Sequence, residues 1–134
     1  KNFGPQYFKD DEKQLLLLKS EVLLATGRTE ESTKILRSLV EKHPLEGKAL
    51  IMLAQIAWNK QDFATAGLYF ERSSKIAKWE VESLVQHGRM LVETRNYEKA
   101  VRLLERAESI EPQPRVNRFL ESIRNLLLSS RVRL

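Results

Sequence analysis

Residues 81–114 have the sequence VESLVQHGRMLVETRNYEKAVRLLERAESIEPQP, and their pattern of small and bulky residues recurs upstream at a spacing of 34 residues. Four columns follow this period: Leu16, Leu50 and Leu84; Ser20, Ala54 and Gly88; Ser32, Ala66 and Ala100; and Leu36, Phe70 and Leu104. Gly, Ala and Ser make up only 24 of the 134 residues, so small residues at all six small positions are not expected by chance. The chain is therefore predicted to be a repeat array.

Each repeat contains two apolar helical patterns separated by a short polar break. In the second repeat Leu50, Ala54 and Ala57 recur at helical spacing before the break at Gln61 and Asp62, and a second helical pattern follows. Two antiparallel helices approach closely only where the side chains at their crossing are short, which explains the small columns. Each repeat is predicted to be a helix, a tight turn and a second helix.

Turn residues support these breaks. Gly27 follows the first helical pattern of the first repeat, and Thr29, Asp62 and Asn96 stand where the second helix of each repeat begins. Thr, Asp and Asn are favoured N-cap residues, because their side-chain oxygens accept hydrogen bonds from the first turn. We predict that these three residues are N-caps.

The pattern resembles the tetratricopeptide repeat family. The third repeat has the best match to the family consensus, with Leu84, Gly88, Leu91, Tyr97, Ala100, Leu104, Ala107, Ile110 and Pro112 in consensus places. The second repeat departs from the consensus at Ser73 and Lys78, and the first at Lys19, Ser20 and Ser32. From the departures in the first repeat we expect its first helix to be displaced.

The resemblance implies an all-α solenoid of three helix-turn-helix repeats followed by a C-terminal capping helix. We predict repeats at residues 13–46, 47–80 and 81–114, a capping helix at 115–130 and a frayed tail at 131–134. The predicted cap carries an amphipathic stripe of Val116, Phe119, Leu120, Ile123, Leu126 and Leu127. Residues 1–12 are predicted to be an aromatic leader, because Phe3, Tyr7 and Phe8 make this segment too apolar for a solvated linker. We expect the leader to pack on the first helix or to lie in a groove.

The net charge of +5 is concentrated at the C-terminal end, where residues 115–134 contain five arginines and one acid. The repeats themselves are nearly neutral, so the basic stripe over a whole face that is typical of nucleic-acid-binding proteins is missing, and nucleic acid is not an expected partner. No run of 18 apolar residues exists, so no membrane span is predicted. The first residue is Lys1, which favours a processed or excised chain.

Nothing in the sequence indicates catalysis. The chain contains no cysteine, and His43 and His87 lie in no metal-binding or nucleophile motif. The glycines are single and form no phosphate-binding loop. We therefore predict no catalytic residues, no cofactor and no metal site.

The resemblance implies a concave groove lined by the first helix of each repeat. At about 100° per residue, one face of these helices presents a set that we name the predicted groove. Its members are Leu17, Glu21, Ile51, Met52, Gln55, Trp58, Asn59, Val85, Gln86 and Arg89. This face is apolar at its centre with polar groups beside it, which favours a peptide or partner helix with apolar anchors. The anchors are predicted to pack on Leu17, Ile51, Trp58 and Val85.

The family's clamp for the C-terminal carboxylate of heat-shock chaperones uses Lys and Asn. Its places here hold Leu17, Glu21, Met52, Glu82 and Gln86, so we do not expect chaperone tails to bind. Three alternatives remain open: self-assembly through an end of the array, a regulatory domain of a larger protein, and a groove covered by the chain's own leader or by further chain.

Overall fold

The computed structural model describes the backbone of residues 5–132 and the side chains of residues 11–130. Within this part of the chain all regular structure is helical: α1 (Pro5–Ala25), α2 (Thr29–Lys42), α3 (Gly47–Asn59), α4 (Phe63–Ser74), α5 (Glu80–Glu93), α6 (Tyr97–Ile110) and α7 (Pro114–Val132), with a short 3₁₀ helix (Ala77–Trp79) before α5. The chain forms two compact units, Lys1–Tyr69 and Phe70–Leu134, which divide within α4.

In the first unit, α2 packs against both α1 and α3. The crossing of α1 and α2 is formed by Ser20 and Ser32, both fully buried. The Ser32 hydroxyl donates a hydrogen bond to the Ser20 carbonyl oxygen at 3.0 Å, and the Ser20 hydroxyl donates to the Leu16 carbonyl at 2.9 Å. The two serines therefore form a direct hydrogen-bonded contact between the helices, at the place where the consensus has Gly and Ala.

The backbone of residues 5–12 continues α1 rather than forming a separate leader. Pro5 is the first residue of the helix, where the missing N–H costs nothing and the fixed φ suits the first turn. No glycine or proline interrupts the following residues, so the helix runs on into the first repeat. The side chains of Phe3, Tyr7 and Phe8, on which the expected packing of the leader depends, lie outside the described residues, as do those of the tail at 131–134.

In the second unit, α5 packs against α6 and α6 against α7. A Cβ atom added to Gly88 of α5 would lie 2.9 Å from Leu104 Cγ on α6, so a larger residue here would force the Leu104 side chain to shift. The end of α4 joins α5 through Ser73 and Ser83, whose buried hydroxyls lie 2.6 Å apart. Ser73 thus forms a polar contact where the consensus has alanine.

Helix α7 covers the outer side of α6. Val116, Leu120 and Ile123 of α7 are buried in one apolar cluster with Leu104 of α6. Around this cluster lie half-buried Val85, Val92, Tyr97, Val101, Phe119 and Leu127. Leu126, the remaining member of the predicted stripe, is half exposed.

The turns inside the repeats share one backbone geometry. Gly27, Gln61 and Arg95, spaced by the repeat period, have φ values of +82°, +61° and +64°. In each turn the next N–H donates to the carbonyl five residues back, for example Asp62 to Ala57 at 2.9 Å, which is the Schellman helix end. The side chain of Asp62 caps α4 by accepting a bond from the Thr65 N–H at 3.2 Å.

Of the other two predicted N-caps, the position of Asn96 is confirmed and that of Thr29 is wrong by one residue. Asn96 stands at the N-cap of α6 without a capping side-chain hydrogen bond, and the N-cap of α2 is Arg28 rather than Thr29. Thr29 is the first helical residue, and its carbonyl accepts a bond from the Thr33 hydroxyl at 2.8 Å.

Candidate functional site

Three members of the predicted groove are core residues in the structure. Leu17 of α1 and Ile51 and Met52 of α3 expose only 2, 4 and 6% of their surface. An apolar side chain contributes to binding through the area that it still exposes to water. These three residues therefore offer almost no surface to a partner.

The other members of the first unit line the accessible sides of α1 and α3. The Glu21 carboxylate forms an ion pair with Lys48 of α3 at 2.5 Å, so its charge is partly compensated. Gln55 and Asn59 are exposed and Trp58 is half-buried, all on the C-terminal half of α3. Trp58 contributes an aromatic side chain to these groove residues.

The three members of the second unit line one pocket, which we name the α5 pocket. Val85, Gln86 and Arg89 are brought together there by the helical spacing of α5. The complete lining consists of Lys78, Val81, Glu82, Val85, Gln86, Arg89, Glu111 and Gln113, around a volume of about 360 Å³. The pocket thus lies between one face of α5 and the link from α6 to α7.

The floor of the α5 pocket is apolar and its rim is charged. Val81 and Val85 are half-buried, and Val85 packs against the apolar cluster beneath α7. On the rim the Gln86 amide donates to the Glu82 carboxylate at 3.2 Å, and the Lys78 ammonium lies 5.7 Å from the ring centre of Trp79. Arg89 is exposed and has no ion pair within the described residues. Its guanidinium is therefore available to an incoming carboxylate.

Five lining residues were not in the predicted groove. Val81 and Glu82 lie one turn before Val85 and Gln86, so extending the same helical stripe would have found them. Lys78 precedes α5, and Glu111 and Gln113 belong to the link after α6. In that link the Gln113 backbone N–H donates a hydrogen bond to the Glu108 carboxylate at 2.7 Å. No repeat pattern indicates this contact.

Neither histidine lines the α5 pocket. His87 is buried and stacks on Phe70 with ring centres 5.5 Å apart. Burial lowers the pKa of the His87 imidazole, and the charge of Lys99 lowers it further, whereas Glu71 raises it. Within residues 11–130 no group of His, Asp or Glu side chains is arranged to hold a metal ion. No described helix has the length and apolar character needed to cross a bilayer.

Comparison with family models assigns two segments of the chain. The model of the tetratricopeptide repeat matches residues 47–78 and 81–114, which contain α3 with α4 and α5 with α6. No curated protein matches this sequence.

Several solved structures are similar over most of the chain. The N-terminal domain of stress-induced protein-1 from C. elegans has a TM-score of 0.76 at 12% identity, covering 85% of this chain and 95% of that domain. The first tetratricopeptide domain of Spaghetti (RPAP3), bound to the HSP90 peptide SRMEEVD, has a TM-score of 0.76 at 16% identity, covering 88% of this chain and 94% of that one.

A third similar structure is the Yersinia enterocolitica type III secretion chaperone SycD in complex with a peptide of the translocator YopD. It has a TM-score of 0.75 at 16% identity, covering 85% of this chain and 93% of the SycD chain. These likenesses confirm the predicted all-α solenoid of helix pairs.

Proposed function

Because this chain belongs to the tetratricopeptide repeat family, we propose that it is a non-catalytic protein-interaction module whose α5 pocket binds a peptide segment of a partner protein. The observation that carries this proposal is the coincidence of the pocket with Val85, Gln86 and Arg89, the groove residues of the third repeat. Two structural neighbours are complexes with peptides, the Spaghetti domain and SycD, which supports a peptide as the kind of ligand.

The chemistry of the pocket defines the ligand further. The half-buried valines suit an aliphatic anchor of the peptide, since burying such a side chain contributes about 1.5 to 3 kcal/mol. Arg89 suits one carboxylate, because a guanidinium can donate two parallel hydrogen bonds to it. Gln113 also lines the pocket, and its side-chain amide is proposed to bond the peptide backbone. We therefore propose a ligand with an aliphatic residue close to a single acidic residue.

A strongly acidic peptide fits this rim poorly. The rim carries two carboxylates, Glu82 and Glu111, and two cations, Lys78 and Arg89, so it has no net positive charge to hold a strongly acidic peptide. Glu82 also occupies a place that the chaperone-tail clamp of the family requires to be cationic or an amide. We propose that SRMEEVD, the peptide in the Spaghetti complex, does not bind to this chain.

The remaining groove residues have secondary roles in the proposed function. Gln55, Trp58 and Asn59 form an accessible patch on α3, which is proposed as a separate contact surface of the first unit. Leu17, Ile51 and Met52 are assigned a packing role because of their burial.

The test is selection of displayed random peptides on the purified chain, followed by anisotropy titration of the enriched peptides. Arg89→Glu should weaken their binding by about tenfold or more, because it replaces an attraction with a repulsion at the rim. The matched control is Arg102→Glu on α6, which reverses the charge of another exposed arginine outside the pocket lining and should leave affinity unchanged. Peptides that bind Arg89→Glu and the parent chain equally well, or the absence of any enriched peptide, would refute the proposal.

A further inference from the structure

Helix α1 exposes a row of aliphatic side chains that we name the α1 stripe. Leu15, Leu18 and Val22 expose 67, 56 and 54% of their surface. Their spacing of three and four residues places them on one side of the helix. Contiguous apolar surface of this kind marks an interaction site in a soluble protein.

The same register positions are buried in the second repeat. Ala49, Met52 and Ile56 of α3 correspond to the α1 stripe after a shift of 34 residues, and they expose 0, 6 and 6% of their surface. Helix α3 packs against α2, the second helix of the preceding repeat.

The third repeat shows what covers this side of the helix. Ser83 and Met90 of α5 correspond to Leu15 and Val22 and expose 0 and 2% of their surface, whereas Gln86, the counterpart of Leu18, is half-buried at the rim of the α5 pocket. Ser83 meets Ser73 of α4, again the second helix of the preceding repeat, through the 2.6 Å contact of their hydroxyls. In the second repeat all three positions are covered, and in the third repeat the positions of Leu15 and Val22 are covered, so most of this side of the first helix packs against the fold.

No helix of the described chain occupies this position on α1. In the inner repeats the first helix begins at Gly47 or Glu80, and the chain before it turns into the preceding helix. Residues 5–12 instead extend α1 itself and so do not fold back over the stripe.

We infer that the α1 stripe binds the α1 stripe of a second copy of this chain, with the two helices antiparallel. Centred on the turn between Leu15 and Leu18, this arrangement packs Leu15 of each copy against Leu18 of the other. Each stripe then takes the place that a preceding helix has on α3 and α5.

The charges beside the stripe favour the antiparallel direction. Asp11 and Glu12 are exposed at its N-terminal end, and Lys19 is exposed one turn beyond Leu15. In the antiparallel pair Lys19 of each copy lies beside Glu12 of the other, so the attraction occurs twice by symmetry. A parallel pair would instead place the acids of the two copies together.

The size of the stripe sets the strength of the association. One face of a single helix buries much less area than a permanent dimer interface, so a weak and reversible dimer is expected. Its formation should be visible only in the upper part of a concentration series.

The first test is sedimentation equilibrium of the whole chain up to millimolar concentration. The average mass of the parent chain should rise towards that of a dimer, whereas Leu18→Glu should stay monomeric over the whole range. The matched control is Leu68→Glu on α4, which changes another leucine with 63% of its surface exposed and should leave dimerisation intact. Far-UV circular dichroism checks that the variants keep the same helix content.

The second test is a charge exchange across the proposed pair. Lys19→Glu alone should shift the dimer midpoint to higher concentration, and adding Glu12→Lys should restore it, since the double variant re-forms both attractions in the antiparallel pair. A parent chain that is monomeric throughout, a Leu18→Glu variant that still dimerises, or a charge exchange without restoration would each overturn the inference. These variants lie outside the α5 pocket, so failure here leaves the proposed peptide binding untouched.

Discussion

His87 is the residue whose chemistry is most altered by its surroundings. Its imidazole is buried against the Phe70 ring, where the charge of Lys99 opposes protonation and that of Glu71 favours it. Desolvation lowers the pKa of His87, so the folded protein favours the neutral form. The equivalent residue of the second repeat is Leu53, which serves the same packing role without a titratable group.

His87 should make the stability of the protein depend on pH. Since the pKa of His87 is lowered in the folded state, the unfolded chain binds the proton more readily. The free energy of unfolding therefore decreases as the pH falls below about 6.5, the pKa of an unfolded histidine. The urea midpoint of the parent chain should fall between neutral pH and pH of about 5, and that of His87→Leu should fall much less. His43→Gln, which retains His87, serves as the control and should behave like the parent; equal slopes for all three proteins would contradict this assignment.

The structure of single residues also explains how the first repeat keeps its fold although its sequence departs from the consensus. Lys19 stands on the exposed side of α1, while Ser20 and Ser32 keep two helices in contact through a hydrogen bond. The small columns were predictable because steric fit at a helix crossing depends on residue size alone. The hydrogen bond between the serines was not, since it depends on how the two backbones are placed.

At the scale of elements, the first helix of each repeat ends in the same backbone conformation. The three intra-repeat turns place one residue each in the left-handed region, but only Gly27 is a glycine. For Gln61 and Arg95 this conformation crowds the Cβ atom against the backbone. The break between the helices could be predicted from the sequence. The left-handed conformation at Gln61 and Arg95 could not, because neither residue type indicates it.

Glycine at these two turns should stabilise the protein. Gln61→Gly and Arg95→Gly each remove an unfavourable left-handed side-chain conformation, and we expect a gain of roughly 0.5 to 1 kcal/mol per site after the greater flexibility of unfolded glycine is included. Gly27→Ala should show the reverse, because its φ of +82° is unfavourable for alanine. The measurement is the free energy of unfolding from urea titration, with Lys60→Gly, whose φ is −85°, as the control that should destabilise.

At the scale of the whole molecule, stability in a helical repeat protein comes from contacts between neighbouring helices rather than from one central core. The second unit illustrates this at its end, where α7 buries Val116, Leu120 and Ile123 against Leu104. The amphipathic stripe predicted this cap, and its partner on α6 follows from chain order.

Removal of one buried cap residue should weaken the second unit strongly. Leu120→Ala leaves a cavity beneath α7, and we expect a loss of about 2 to 4 kcal/mol in the free energy of unfolding, with faster amide exchange in α6 and α7. Leu126→Ala deletes the same atoms from a half-exposed leucine and should cost less than about 1 kcal/mol. Equal losses in the two variants would show that α7 does not stabilise α6 through Leu120.

The sequence by itself determined the features that depend on local order along the chain. The repeat period, the alternation of helices and turns, the small residues at crossings and the capping stripe all follow from side-chain size and helical spacing, which each segment carries within itself. The face of α5 that lines the pocket was predictable for the same reason.

Only the tertiary structure decided which of these faces remain accessible. Leu17, Ile51 and Met52 share a helix face with exposed residues but are buried, and the α5 pocket is completed by Glu111 and Gln113 from a distant link. The exposure of the α1 stripe likewise depends on residues 5–12 continuing the helix. Burial depends on what packs against a face from elsewhere in the fold, and the periodicity of a helix indicates that a face is apolar without indicating whether another element covers it.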